Sequence, residues 1–171
     1  VLDVFSHVGG FSLAALAAGA QSARAVDGSE AALDLAMQGA VASGVVEKFE
    51  TQKGDAFAQL SALAEAGEKF GLVICDPPAF ASSKSALEAG LRAYEKVARL
   101  AAHLVEDGGF LILCSCSHAA DLVKFRTACN RGIGRAGRSA QLFHTGFAGA
   151  DHPLHPQLAE SGYLKALFYR L

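Results

Sequence analysis

The stretch that most narrows the choice of fold is Phe70-Gly-Leu-Val-Ile-Cys75, an apolar run that stops abruptly at Asp76-Pro77-Pro78. A strand with one solvated face alternates apolar and polar residues. A strand covered on both faces reads as an unbroken apolar run, as parallel sheets flanked by helices require. Phe110–Cys114 repeats the pattern behind Gly108-Gly109, and Val1–Phe5 repeats it with Asp3 as its sole polar residue. All are far shorter than the roughly 20 apolar residues that cross a bilayer.

Helical patterns fill the gaps between these runs. Phe11–Ala18 is rich in Ala and Leu and ends at Gly19. After a short strand at Ala23–Asp27, Ser29 is placed to cap a helix whose apolar face carries Leu33, Ala36, Met37, Ala40 and Val41. Phe49–Lys53 reads as a strand and leads through Gly54-Asp55 into a helix with Phe57, Leu60 and Leu63. Ser85–Val105 aligns Leu87, Leu91, Tyr94, Ala98, Ala101 and Val105 on one helical face, and Ala119–Cys129 predicts another helix. Arg131–Arg138 reads as a flexible basic loop. Gln141–Thr145 and Tyr163–Tyr169 alternate as strands around a connection with no helical pattern. Five strand–helix alternations and a final strand–loop–strand predict an α/β fold. It is a doubly wound sheet over residues 1–171, mostly parallel with an antiparallel C-terminal strand.

Composition excludes whole classes. A chain that is 51% hydrophobic and 19% charged is not disordered, and a net charge of −2 is no electrostatic blanket for nucleic acid, although a local basic patch remains compatible with it. Neither a signal peptide nor a low-complexity tract is recognisable. Four cysteines, two of them separated by one residue, are no disulfide framework and predict a reducing, cytoplasmic setting. The buried-strand pattern at Val1 predicts a domain of a longer protein. Self-association is left open.

In doubly wound sheets ligands sit at the carboxyl ends of the strands. The polar groups there are Ser6–Gly10, Asp27, Asp55, Asp76-Pro77-Pro78 and Ser115-Cys116-Ser117. Gly9-Gly10 lets backbone approach a ligand at a helix start, and Asp27 is spaced to grip ribose hydroxyls. A nicotinamide dinucleotide meets these two conditions, but nothing downstream resembles hydride-transfer machinery. S-adenosylmethionine (SAM) has no pyrophosphate and tolerates the looser glycine pattern, with Asp55 at the adenine amino group. Phe5, Ser6, Gly28, Ser29, Ala56 and Asp76 complete the expected cofactor lining.

Asp76, held by Pro77 and Pro78, makes a rigid rim that can bond a base edge, and Phe80 is placed to stack or to pack. Lys84 is a candidate phosphate contact, and Pro77, Pro78 and Ser115 are expected to line the substrate side. Amino-group methyltransferases share the Asp-Pro-Pro-aromatic rim, but here Ala79 intervenes. Cys116 favours carbon chemistry. Cytosine C5 is a poor nucleophile until a thiolate adds to C6. Cys116 follows a buried strand near a predicted helix start, whose dipole would favour a low-pKa thiolate. Cys75 and Cys114 lie in apolar strands and Cys129 in a helix. Cys114-x-Cys116 is not the usual zinc knuckle spacing, so no metal is expected.

Val1–Phe11, Val26-Asp-Gly-Ser29, Asp76-Pro-Pro-Ala-Phe80, Ser115-Cys-Ser117, Asp151-His-Pro153 and Tyr163-Leu-Lys165 together resemble the bacterial ribosomal large-subunit RNA methyltransferase I family. The resemblance implies a class I SAM-methyltransferase sheet and 5-methylcytosine formation in 23S rRNA. It also implies Cys116 as nucleophile, Asp76 as base-orienting acid, structured RNA as partner, and an N-terminal PUA-type RNA-binding region outside this chain. Nitrogen methylation of a base, or an idle SAM-binding module, are the alternatives. His7 and Ala79 depart from that family's usual aromatic and basic residues.

Overall fold

The computed structural model describes residues 1–171, apart from the side chains of Ala159 and Glu160. Seven strands form one sheet: β1 (Leu2–Val4), β2 (Ala23–Asp27), β3 (Phe49–Lys53), β4 (Phe70–Cys75), β5 (Val105–Ser115), β6 (Gln141–Phe147) and β7 (Lys165–Arg170). Their spatial order is β3-β2-β1-β4-β5-β7-β6, parallel throughout except where β7 inserts antiparallel between β5 and β6. Five helices connect them: α1 (Gly10–Ala17), α2 (Glu30–Ala42), α3 (Ala56–Glu65), α4 (Leu87–Leu104) and α5 (Leu122–Arg135). The predicted doubly wound sheet is the one observed.

Two apolar layers flank the sheet. Leu16, Ala23, Ala25, Leu33, Ala36, Ala40 and Phe49 pack α1 and α2 on one face. Leu2, Val4, Val26, Val73, Leu111 and Leu113 face the opposite way, among residues of α3, α4 and α5. Phe125 and Tyr94 are buried at the centre of this larger core, with ring centroids 4.9 Å apart. Burial on that scale is worth about 2 kcal/mol per large side chain. Chain order reverses between β1 and β4, which opens the sheet's carboxyl edge there.

Four local expectations are corrected. Gly108-Gly109 is an irregularity inside β5 rather than a turn before it. The β4–β5 register shifts between Phe70 and Leu72, Gly108 has φ +79°, and a Cβ on Gly109 would lie 2.9 Å from Val105 Cγ1. Helix α5 starts at Leu122, not Ala119, because Asp121 accepts the Lys124 N–H at 2.8 Å while the Ser117 hydroxyl is bonded elsewhere. Basic residues 131–135 continue α5 instead of looping. Gly132 seats α5 against α4, where a Cβ would come within 2.3 Å of the Glu95 carbonyl. Arg138, just beyond, is tied to the Val105 carbonyl at 2.8 Å and to Asp107 at 3.0 Å. Val41, placed on the buried face of α2 by its spacing, is exposed.

Candidate active site

The strand ends nearest the reversal carry the polar groups. β1 stops at Val4, and the chain leaves the sheet through two residues in left-handed conformation, Phe5 (φ 63°) and His7 (φ 48°), before Gly9 (φ 75°) opens α1. Such φ values are rare for residues with a side chain, and they form where neighbouring bonds over-determine the backbone. Those bonds are present. Ser6 N–H donates to the Val26 carbonyl at 3.1 Å, and Gly9 N–H to the Ser6 carbonyl at 2.8 Å. Gly9 also fits because a Cβ there would meet Ala36 Cβ at 3.0 Å.

Asp27, at the end of β2, ties this loop to the next. Its Oδ2 accepts the His7 N–H and its Oδ1 the Ser29 N–H, both at 2.8 Å. Each carboxylate oxygen keeps a lone pair for a further donor. Ser29 caps α2 through Ala32, Gly28 is exposed beside it, and Asp55 caps α3 through Ala58 N–H at 2.9 Å. Ala56 is buried in the first turn of α3. Gly10 is exposed at the start of α1. The Ser6 hydroxyl is buried, and among the described residues it has no hydrogen-bond partner. Asp3 is enclosed in β1, where its Oδ2 takes both the Ser12 N–H (3.0 Å) and the Ser12 hydroxyl (2.9 Å). It thereby supplies the side-chain cap that Gly9 cannot give α1, and burial raises its pKa.

The β4 and β5 ends are built differently. Asp76 leaves β4 with its N–H on the Val4 carbonyl at 3.2 Å. Its residue is open to solvent, yet partial loss of hydration between the loop walls raises the carboxyl's pKa. Pro77 is buried, and its carbonyl lies 3.8 Å from Cys116 Sγ, so the Asp-Pro-Pro and Ser-Cys-Ser segments touch. Pro78 and Lys84 are exposed on the same loop. Phe80 is half-buried in an aromatic group with Phe5, Phe57 and Tyr94 at centroid distances of 6.1, 6.0 and 5.1 Å, so it packs.

Two expectations fail here. Ser115 does not line the substrate side. It is buried and donates its hydroxyl to the Tyr94 hydroxyl at 2.9 Å, because its position on β5 points into the core shared with α4. Nor is Cys116 a low-pKa thiol in this structure. The start of α5 lies six residues on and is capped by Asp121, so no helix terminus serves the sulfur. Burial, and then the charge of Asp76, raise its pKa, against which Lys165 acts to lower it. The thiol itself is half-buried, whereas Cys75 and Cys129 are sealed in the core and Cys114 is pushed up to about 12 by burial.

Sequence reasoning missed Tyr94, which it placed among core residues. Its hydroxyl lies 2.7 Å from the Ser117 hydroxyl, which in turn accepts the Ala81 N–H at 2.9 Å. One phenol thus joins the loop after β4 to the loop after β5. A cavity of about 520 Å³ opens at the opposite edge of the sheet, around Arg24, Glu50 and Glu68. There Arg24 pairs with both acids, at 3.1 and 2.8 Å, so the cavity wall is a structural ion cluster remote from these loops.

A family model described as conserved hypothetical protein 95 matches residues 1–123, the span holding the glycine turn, Asp27, Asp76 and Cys116. The chain belongs to the conserved hypothetical protein 95 family. Within that setting it is similar to the ribosomal RNA large subunit methyltransferase I of Aeromonas salmonicida, 37% identical over 99% of this chain and 43% of that protein. The Klebsiella pneumoniae protein of the same name is 35% identical over all of this chain and 43% of its own length. The chain therefore spans less than half the length of these curated relatives. Among solved structures, SMU.776, assigned as a methyltransferase and complexed with SAH, superposes with a TM-score of 0.86. That match is 21% identical and covers 99% of this chain and 44% of the other. At that identity the likeness establishes the fold alone, a doubly wound and mostly parallel seven-stranded sheet. Among the described residues, no helix is long and apolar enough to cross a membrane.

Proposed function

We propose that this conserved hypothetical protein 95 domain methylates C5 of a cytosine in structured RNA, with SAM as donor, in a cytoplasmic setting suited to its free thiols. The observation that carries the reading is the contact of Cys116 Sγ with the Pro77 carbonyl, 3.8 Å away, which brings a half-buried thiol against the Asp76-Pro77-Pro78 segment. The relatives named for large-subunit ribosomal RNA methylation support ribosomal RNA as the substrate.

The edge formed by β1 and β2 suits a nucleoside donor. It offers an unpartnered buried hydroxyl on Ser6, spare lone pairs on Asp27, and no side chain at Gly9 or Gly28. When bound, SAM supplies an electrophilic methyl sulfonium. Cys116 Sγ adds to cytosine C6, which moves electron density onto C5 so that C5 can take the methyl group. Asp76 holds the N3/N4 edge of the base, and its raised pKa suits a carboxyl that shares a proton with N3. Loss of the C5 proton then expels the Cys116 thiolate and restores the ring.

RNA containing 5-fluorocytosine tests this directly, because fluorine blocks the last step. The unaltered protein should form a denaturation-resistant adduct that Cys116→Ala does not, and full methyl transfer by Cys116→Ala would reject the assignment. One observation favours a second reading: the raised pKa of Cys116 suits nitrogen methylation, which needs only the Asp76 rim. Mapping the methyl group on the product base separates the two.

A further inference from the structure

Lys165 has no part in the chemistry just described, yet its placement is hard to explain as packing. It occupies the inward phase of β7 with Leu167 and Tyr169 and is 8% exposed. The ladder sets it opposite Ser115 of β5 and Phe147 of β6. Its Nζ donates to the carbonyls of Ser117 (2.9 Å) and Tyr163 (2.8 Å). An ammonium carries three donors. Among the described residues no carboxylate lies within 4.0 Å of it, although a buried cation ordinarily demands an anion. An apolar residue would serve a purely structural role here with less desolvation.

The charged and titratable groups that bear on this corner can be named. Cys116 is influenced by Asp76 from β4 and Lys165 from β7, and it acts on Cys114 of β5 and Tyr94 of α4. Burial lowers the pKa of Lys165, while Cys116 and Asp121 at the start of α5 act to raise it. Lys165 is the one cation among them.

We propose that Lys165 is a positioning residue for Cys116: its ammonium pins the Ser117 carbonyl and stands as the fixed cation against which the Cys116 thiolate forms. This rests on Cys116 being the nucleophile. It also gives a thiol remote from any helix terminus a cation that favours its anionic form. Each turnover forms a sulfur anion one residue from the carbonyl that the ammonium holds, and the Ser115–Tyr94–Ser117 bonds keep the loop from moving away.

Iodoacetamide alkylation of Cys116, followed by peptide mass spectrometry across the neutral to alkaline range on the full chain, tests the proposal. Lys165→Gln keeps two donors but no charge. It should raise the alkylation midpoint by about one pH unit, a roughly tenfold slower reaction below the midpoint. Lys165→Arg should titrate close to the unaltered protein. A folded Lys165→Gln protein that titrates like the unaltered one would overturn the proposal. Should that variant not fold, the reciprocal measurement decides. By NMR, the Lys165 ammonium should titrate lower in Cys116→Ser than in the unaltered protein, and identical titration would overturn the proposal. Neither experiment uses RNA or SAM, so failure of the cytosine reading shows separately, as retained methyl transfer in Cys116→Ala.

Discussion

Around β1 and β2 the loops are held by backbone. Two residues and a glycine sit at positive φ, and one carboxylate, that of Asp27, gathers N–H groups from His7 and Ser29. Around β4 and β5 they are held by side chains, with Tyr94, Ser115 and Ser117 bonded to one another and Lys165 closing the corner. The first construction leaves a concave, side-chain-poor edge with a free hydroxyl on Ser6. The second fixes the direction of a thiol. A donor that recurs unchanged in every turnover suits the former, and a reaction that needs one sulfur in one place suits the latter.

The contrast can be broken by changing one half and reading the other. Gly9→Val forces a β-branched residue to φ +75° against Ala36, and should destabilise the fold by about 3 kcal/mol in urea denaturation. SAM binding should be lost while Cys116 alkylation in the folded fraction is unaltered. Coupled loss of both would show that the halves are one unit. Tyr94→Phe deletes the hydroxyl shared by Ser115 and Ser117, for about 2 kcal/mol of stability. It should slow methyl transfer and leave SAM affinity intact by calorimetry. Asp27→Ala, the mirror experiment, should remove about 1 kcal/mol and weaken SAM binding roughly tenfold. Unchanged affinity there would contradict the ribose contact. The smallest effect is one of pH. Because burial raises its pKa from the ordinary thiol value, the alkylation rate of Cys116 should keep climbing as pH rises through the alkaline range. A plateau at neutral pH would mean a thiolate already formed.

Strand positions were legible because β4 writes its burial as an apolar run, while β2 and the edge strand β3 also fall where expected. Asp27, Asp55 and Asp76 were legible as strand-end acids for the same reason. Ser115 was misjudged because a serine beside a candidate nucleophile reads as polar lining. Whether it faces cleft or core depends on α4, whose Tyr94 lies 21 residues earlier. Helix α5 was misread in a related way: Gly132 and Gly134 suggested a loop, while close approach to α4 explains the first of them. The phase of β7 did carry an unused sign, a lysine in step with Leu167 and Tyr169.

Strand β7 slots between β5 and β6 although it leaves the ribosome after both of them. Until Lys165 arrives, the Ser117 carbonyl has no ammonium and β5 has a bare edge. A growing chain can thus complete its donor-side loops well before its thiol corner is closed. On the proposed role of Lys165, reactivity at that sulfur is withheld until β7 has been made.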